Sequence, residues 1–227
     1  MGNKIKAALA LSATGALVAL SGPAMAVGTY TIAVNGNSSA GAVAYHAANS
    51  GNVVFTVMHN GNPQVMTCTG VKFNGNINTG SGVSGANAAS VNSASTDWTN
   101  CTFSGFPVNV TPNNPWTLNA TGATSGGITP GTVTPPTAGG NFASVSVLGG
   151  VCSFTVKGFA AATYNNGTQQ IVVNDPYTSH DLSINTTSGA CSSNVAPGDF
   201  ASFQGNFNVT DTSGNPFPGT GVTITQP

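Results

Sequence analysis

The densest gathering of reactive side chains is NDPYTSHDLS, residues 174–183, which holds Asp175, Tyr177, Ser179, His180 and Asp181. Acyl transfer would need a serine, a histidine and an orienting carboxylate converging on one point. Adjacent His180 and Asp181 on a strand point to opposite faces and do not form an orienting pair. No serine stands in a G-x-S-x-G elbow either. The segment reads as a polar turn before a strand beginning at LSIN. A metal asks for three or four convergent ligands. His46 and His59 fall in neighbouring predicted strands, AVAYHA and VVFTVMH, and would approach each other if those strands paired. Two imidazoles with no carboxylate close in sequence still make an incomplete site. DTSGN at 211–215 lacks the spacing and terminal Glu of a calcium loop and reads as a turn.

Other chemistries find even less. The chain has no Glu, so a glycosidase pair would rest on two aspartates, and no two of its five stand as an obvious pair. Trp98 and Trp116 are the residues for stacking on a sugar, but no Asp, Glu or Arg stands beside Trp116 to grip hydroxyls. Neither phosphate-cradling glycine motif, nor H-E-x-x-H, is present. N-x-S/T triplets such as those at Asn109 and Asn119 follow trivially from an Asn-, Ser- and Thr-rich chain. The expectation is therefore a non-enzyme with no catalytic residue, no cofactor and no metal.

Charge narrows the partners. Only 4% of the 227 residues are charged, and there is no Arg. Residues 1–26 read as a secretory signal peptide: Lys4 and Lys6, an apolar AALALSATGALVALS, then GPAMA with cleavage expected after Ala26. Beyond it only Lys72 and Lys157 face the five aspartates, a formal charge of −3. Two cations cannot neutralise a run of phosphates, which excludes nucleic-acid binding and polybasic attachment to anionic membranes. No later apolar run approaches the length of a membrane-spanning helix. The weaker alternation of a membrane barrel stays open.

Cys68, Cys101, Cys152 and Cys191 all follow the signal, and an even count outside the cytoplasm favours two disulfides. Three pairings are possible. Cys68–Cys101 with Cys152–Cys191 is favoured because sequential pairing staples each half of the chain separately. The elements these staples join are strands. TYTIAV, NFASVSVLGG, VCSFTVKG, FQGNFNVT and GVTITQ alternate apolar and polar residues with period two. HNGNP, YNNGTQ and TSGNPFPG mark turns between strands. Phe106, Val108 and Val110 are expected on one strand, TPNNP as a turn, and Trp116 and Leu118 on the returning strand of one hairpin pinned by Cys101. Residues 74–95, poor in large apolar side chains, read as a long loop or a loosely held edge, and 121–140, with three prolines, as a linker between halves or a loop. The expected fold is an all-β antiparallel sandwich, either one large unit or two small packed Greek-key-like units. Its divisions would be 27–120, a Pro/Gly/Thr-rich 121–140, and 141–227, or one continuous domain over 27–227.

TCTG, NCTF, VNVTPNNPWTLNATG, CSFTVKG with YNNGTQQIVV, and GDFASFQGNFNV together resemble secreted β proteins of actinobacteria. More remotely they are similar to the PraB-type activators of alkane oxidation. The resemblance implies a small extracellular β protein linked to hydrocarbon use or surface material, and carries over no catalytic residue. The leading expectation is a secreted or cell-surface bacterial protein acting structurally or adhesively. It would self-associate or contact the envelope, partly by adding strands at edges that lack Lys. The alternatives are a carrier of a small apolar molecule between sheets and an envelope pore.

Overall fold

The computed structural model describes residues 28–92, 96–191 and 193–226. The signal segment and its cleavage site lie outside the described residues. The strands are β1 (Thr29–Val34), β2 (Gly41–Asn49), β3 (Val53–His59), β4 (Asn62–Ser84), β5 (Ala89–Val91), β6 (Asp97–Phe103), β7 (Phe106–Pro112) and β8 (Trp116–Ala120). They continue with β9 (Ile128–Thr134), β10 (Asn141–Val147), β11 (Cys152–Gly158), β12 (Ala160–Asn165), β13 (Gln170–Asp175), β14 (Leu182–Gly189), β15 (Phe200–Thr210) and β16 (Val222–Thr225). Single 3-10 turns at Leu148–Gly150 and Tyr177–Ser179 are the helical elements among the described residues. The chain is all-β and antiparallel, as the alternation predicts, and it carries both expected disulfides, Cys68–Cys101 and Cys152–Cys191.

The pairing closes on itself twice. One ring runs β15–β2–β4–β5–β8–β9–β12–β13 and returns to β15. The other runs β15–β3–β4–β6–β7–β10–β11–β14 and returns to β15. The rings share β4 and β15, with β2 and β3 lying one after the other between those two long strands. Both rings take strands from either side of 121–140.

The 23-residue β4 serves both rings because its sequence changes phase. Met66 and Cys68 are buried on one parity, and Val71, Phe73 and Ile77 on the other. The change falls at Thr69–Gly70, where neither β2 nor β3 pairs with β4. Asn49 fills that gap: its Oδ1 accepts from the Val71 N–H at 2.8 Å, and its Nδ2 donates to the Thr69 carbonyl at 3.0 Å. A side-chain amide thus supplies the backbone partner that β4 lacks there.

Three expectations are corrected by these pairings. Residues 74–84 continue β4 and 89–91 form β5, so the stretch expected as a loop or a loose edge carries strands paired on both sides that close the first ring. Gly75 is required there, since a Cβ on it would collide with the Ser90 carbonyl and the Tyr45 ring, its cross-strand neighbour. The proline-rich stretch likewise contains β9, held between β8 and β12, where Gly131 lets the backbone approach the Asn119 carbonyl. Finally, β7 and β8 do not form a hairpin: β7 joins β6 and β10, and β8 joins β5 and β9. Residues 113–115 carry the chain from one ring to the other.

Where that crossing occurs, four aromatic rings meet. Trp116 stacks on Phe142 with centroids 4.4 Å apart, Phe142 meets Phe203 at 6.0 Å, and Phe203 meets Trp98 at 6.1 Å. The Trp116 Nε1–H donates to the Phe142 carbonyl at 3.0 Å. Burial of such side chains contributes about 1.5–3 kcal/mol each, so this seam joins the two interiors into one core.

Candidate functional site

The sequence-nominated residues do not gather. His46 and His59 stay apart, because β2 and β3 follow one another along β4 instead of pairing. His46 Nδ1 meets Asn74 Oδ1 at 2.6 Å. His59 Nδ1 meets Asp199 Oδ2 at 2.8 Å, an oxygen that also accepts from the Ala196 N–H at 2.7 Å. Asn60 Nδ2 lies 3.0 Å from His59 Nε2. Both ring nitrogens of His59 thus have polar neighbours, and the pair ties the β3–β4 turn to the start of β15. Sequence reasoning missed this pair, whose members stand 140 positions apart. The turn itself is legible: Asn60 and Gly61 both have positive φ, as a two-residue hairpin of this type requires.

Trp116 is 4% exposed and Trp98 half-buried, and both line the interior seam, so Trp116 has no open face on which a sugar could stack. Phe106, expected on one strand with Val108 and Val110, begins that strand at the β6–β7 turn and is 51% exposed. Among the described residues no group of three His, Cys, Asp or Glu side chains converges as metal ligands would. Asp211 Oδ1 accepts from the Ser213 and Asn215 N–H groups, both at 2.9 Å, which makes DTSGN a side-chain-closed turn.

In NDPYTSHD the turn is confirmed and its chemistry becomes specific. His180 ends the 3-10 turn in the left-handed region instead of lying on the strand, and its ring stacks on Phe200 with centroids 3.8 Å apart. Asp175 is fully buried beneath this turn. Its Oδ1 accepts from Ser179 Oγ at 3.2 Å and the Ala161 N–H at 3.4 Å, while Oδ2 has no partner. Burial pushes its pKa up from the ordinary carboxylate range to about 6, against the lowering effect of those two donors.

That displacement has a sign. The folded state holds the Asp175 proton at pH values where the unfolded chain has lost it. The associated stability is fully present below about pH 4 and is lost as pH rises through about 6, amounting to about 2–3 kcal/mol. Asp175→Asn is expected to remove this dependence and raise the melting temperature at pH 7.5. Thermal unfolding of both proteins across pH 4–8 checks it; an unchanged difference between them at every pH would contradict it.

The outer faces carry a different chemistry. Gln170 Nε2 donates to Asn208 Oδ1 at 2.8 Å, and Gln204 Nε2 to Asn174 Oδ1 at 3.3 Å, across β13 and β15. Asn119 Nδ2 reaches Thr132 and Thr134 hydroxyls at 3.2 and 3.1 Å, and the Thr155 and Thr186 hydroxyls lie 2.7 Å apart. At one end of the second ring the skin turns apolar. Phe106, Leu148 and Val151 are exposed on two turns, and the 3-10 turn Leu148–Gly150 packs beside β7. No family model, no curated protein and no solved structure matches the chain, so its reading rests on its own residues and geometry.

Proposed function

We propose that the chain is a non-enzymatic bacterial protein, secreted or held at the cell surface, that works structurally or adhesively through the outside of its sheet. One observation carries this reading: amide and hydroxyl side chains bond to one another across the outer strands, giving a fixed, uncharged skin. Such a surface lacks the mutual repulsion that keeps charged proteins apart. Two disulfides fit an oxidising compartment outside the cytoplasm. The signal-like start and the resemblance to secreted actinobacterial β proteins point the same way.

Strand addition at open edges, the sequence-based route to assembly, fits this architecture poorly. Most ladders close into the rings, and β16, which pairs only with β1, has its other edge covered. Val222 N–H donates to Gln169 Oε1 at 2.6 Å and Ile224 N–H to Asn166 Oδ1 at 2.9 Å. Contacts between copies therefore fall to faces and to the apolar end at Phe106, Leu148 and Val151. Sedimentation velocity is expected to show association that grows with protein concentration and is unchanged between about 0.05 and about 1 M salt. The double variant Phe106→Ser/Val151→Ser is expected to weaken it about tenfold with the melting temperature unchanged, since neither side chain is in the core. A monodisperse monomer at high concentration would overturn the reading.

A further inference from the structure

Small side chains leave the first ring unfilled beneath β16. Ala89, Ala120, Gly131 and Ala162 come from β5, β8, β9 and β12, four successive strands of that ring, and face one void of about 70 Å³. Ile77, Ile171 and Val209 complete its wall, with Val222 and Ile224 of β16 against it. The second ring is built differently. Phe55, Met66, Phe142, Val145 and Val156 fill it and leave about 20 Å³. The larger void is thus particular to one ring and to its run of small residues. Eight-stranded rings are of the size that side chains just fill, or that hold one small ligand when they do not.

The polar atoms around this void are already engaged. Tyr164 Oη donates within 3.0 Å of Gln169 Oε1 and 3.2 Å of the Val222 carbonyl, and Tyr45 Oη donates to the Ser90 carbonyl at 3.3 Å. The Thr129 and Thr124 hydroxyls bond each other at 2.8 Å. A ligand bearing donors or acceptors would surrender its water and find no partner. An apolar one loses nothing, and voids lined this way stay dry and accept such molecules.

The wall formed by β16 also differs from the rest. Its outer edge is held by the side chains of Asn166 and Gln169, with no backbone ladder on that side. Besides the bonds to Val222 and Ile224 N–H, Gln169 Nε2 donates to the Val222 carbonyl and Asn166 Nδ2 to the Ile224 carbonyl, both at 2.9 Å. Tyr164 Oη and Thr124 Oγ1 add single bonds to the Val222 and Ile224 carbonyls at 3.2 and 3.3 Å, so this edge is held by side chains alone and opens without breaking a strand pairing.

We propose that the first ring is a binding site for a compact, uncharged apolar molecule of a few heavy atoms, admitted past β16 when the side chains along its outer edge, Asn166 and Gln169 foremost, let go. The claim is separate from the surface reading, since the site faces inward and any contact between copies uses the outside.

Xenon is the probe, followed on the intact protein by NMR of alanine and isoleucine methyl groups under gas pressure. Saturable shifts are expected at Ala89, Ala120, Ala162, Ile77 and Ile171. Ala162→Leu, which fills the void, is expected to weaken xenon binding at least about tenfold. Ala120→Val serves the same purpose should leucine overpack the ring. Ile171→Ala enlarges the void and is expected to extend binding to benzene. Asn166→Ala/Gln169→Ala is expected to speed exchange of the bound probe about tenfold or more while its affinity changes little. Absence of saturable shifts in the unaltered protein, or shifts that persist in both filled variants, would overturn the site. Exchange no faster in the double variant would overturn the route past β16.

Discussion

Trp116→Ala is expected to lower the free energy of unfolding by about 5 kcal/mol, measured by urea denaturation. Truncating a buried Trp or Phe costs about 3–5 kcal/mol through lost transfer energy and the cavity left behind. A second contribution arises here because the Trp116 indole is a donor to the Phe142 carbonyl. That carbonyl also accepts from the Asn113 N–H at 3.0 Å, so losing the indole removes one of its two donors and places the cost at the upper end of that range. Stability of a domain is about 5–15 kcal/mol, so one substitution would remove a large share of it. The position matters as much as the size. Trp116 stands where the chain passes between rings, and its stack with Phe142 joins β8 of one ring to β10 of the other. Unfolding followed by two probes, one in each ring, is therefore expected to separate into two transitions in the variant. Trp116→Phe, which retains much of the ring contact, is expected to lose less than half as much. A cost under about 2 kcal/mol for the alanine variant would show that the aromatic seam does not tie the rings together.

Removal of the disulfides is expected to rank next, at about 3–4 kcal/mol for each, from the entropy of closing loops with separations of 33 and 39 residues. The two bridges differ in what they release. Cys68 and Cys101 are directly opposed on β4 and β6, inside the second ring, where the ladder already fixes their strands. Cys68→Ala/Cys101→Ala should lower stability with the native pairing intact. Cys191 instead lies in the segment after β14, so the bridge to Cys152 holds down residues 193–199 as well as the chain ends of the loop. Cys152→Ala/Cys191→Ala should add rapid proteolysis within 193–199, read by mass spectrometry of the fragments. Both variants unfolding within about 1 kcal/mol of the parent would refute the assignment of stability to these staples.

The strands and staples were legible because their signals are local. Phe154 and Val156, Phe203 and Phe207, and Val222 and Ile224 alternate in sequence and are buried in the structure. The disulfide pairing followed from economy along the chain. What stayed hidden depends on distance or on close approach. Glycine at 75 and 131 signals a loop by composition, yet each is needed where neighbouring backbone or a tyrosine ring leaves no space for a Cβ. The turn at TPNNP looked like a hairpin because nothing local reveals that β7 and β8 seek different neighbours. Asp199 carried no sequence signal as a partner for His59. The void was equally invisible, since Ala89, Ala120 and Ala162 look like ordinary small residues until three strands bring them around one space.

The shared strand β15 is both late in the sequence and indispensable to both rings. Before Phe200–Thr210 has been synthesised, neither β2 nor β13 has its neighbour in the first ring, and β3 and β14 lack theirs in the second. The growing chain is a set of hairpins without a keystone. Such long-range closure makes for slow folding that begins in earnest after translation. A chain held open in that way remains threadable until its last long strand arrives.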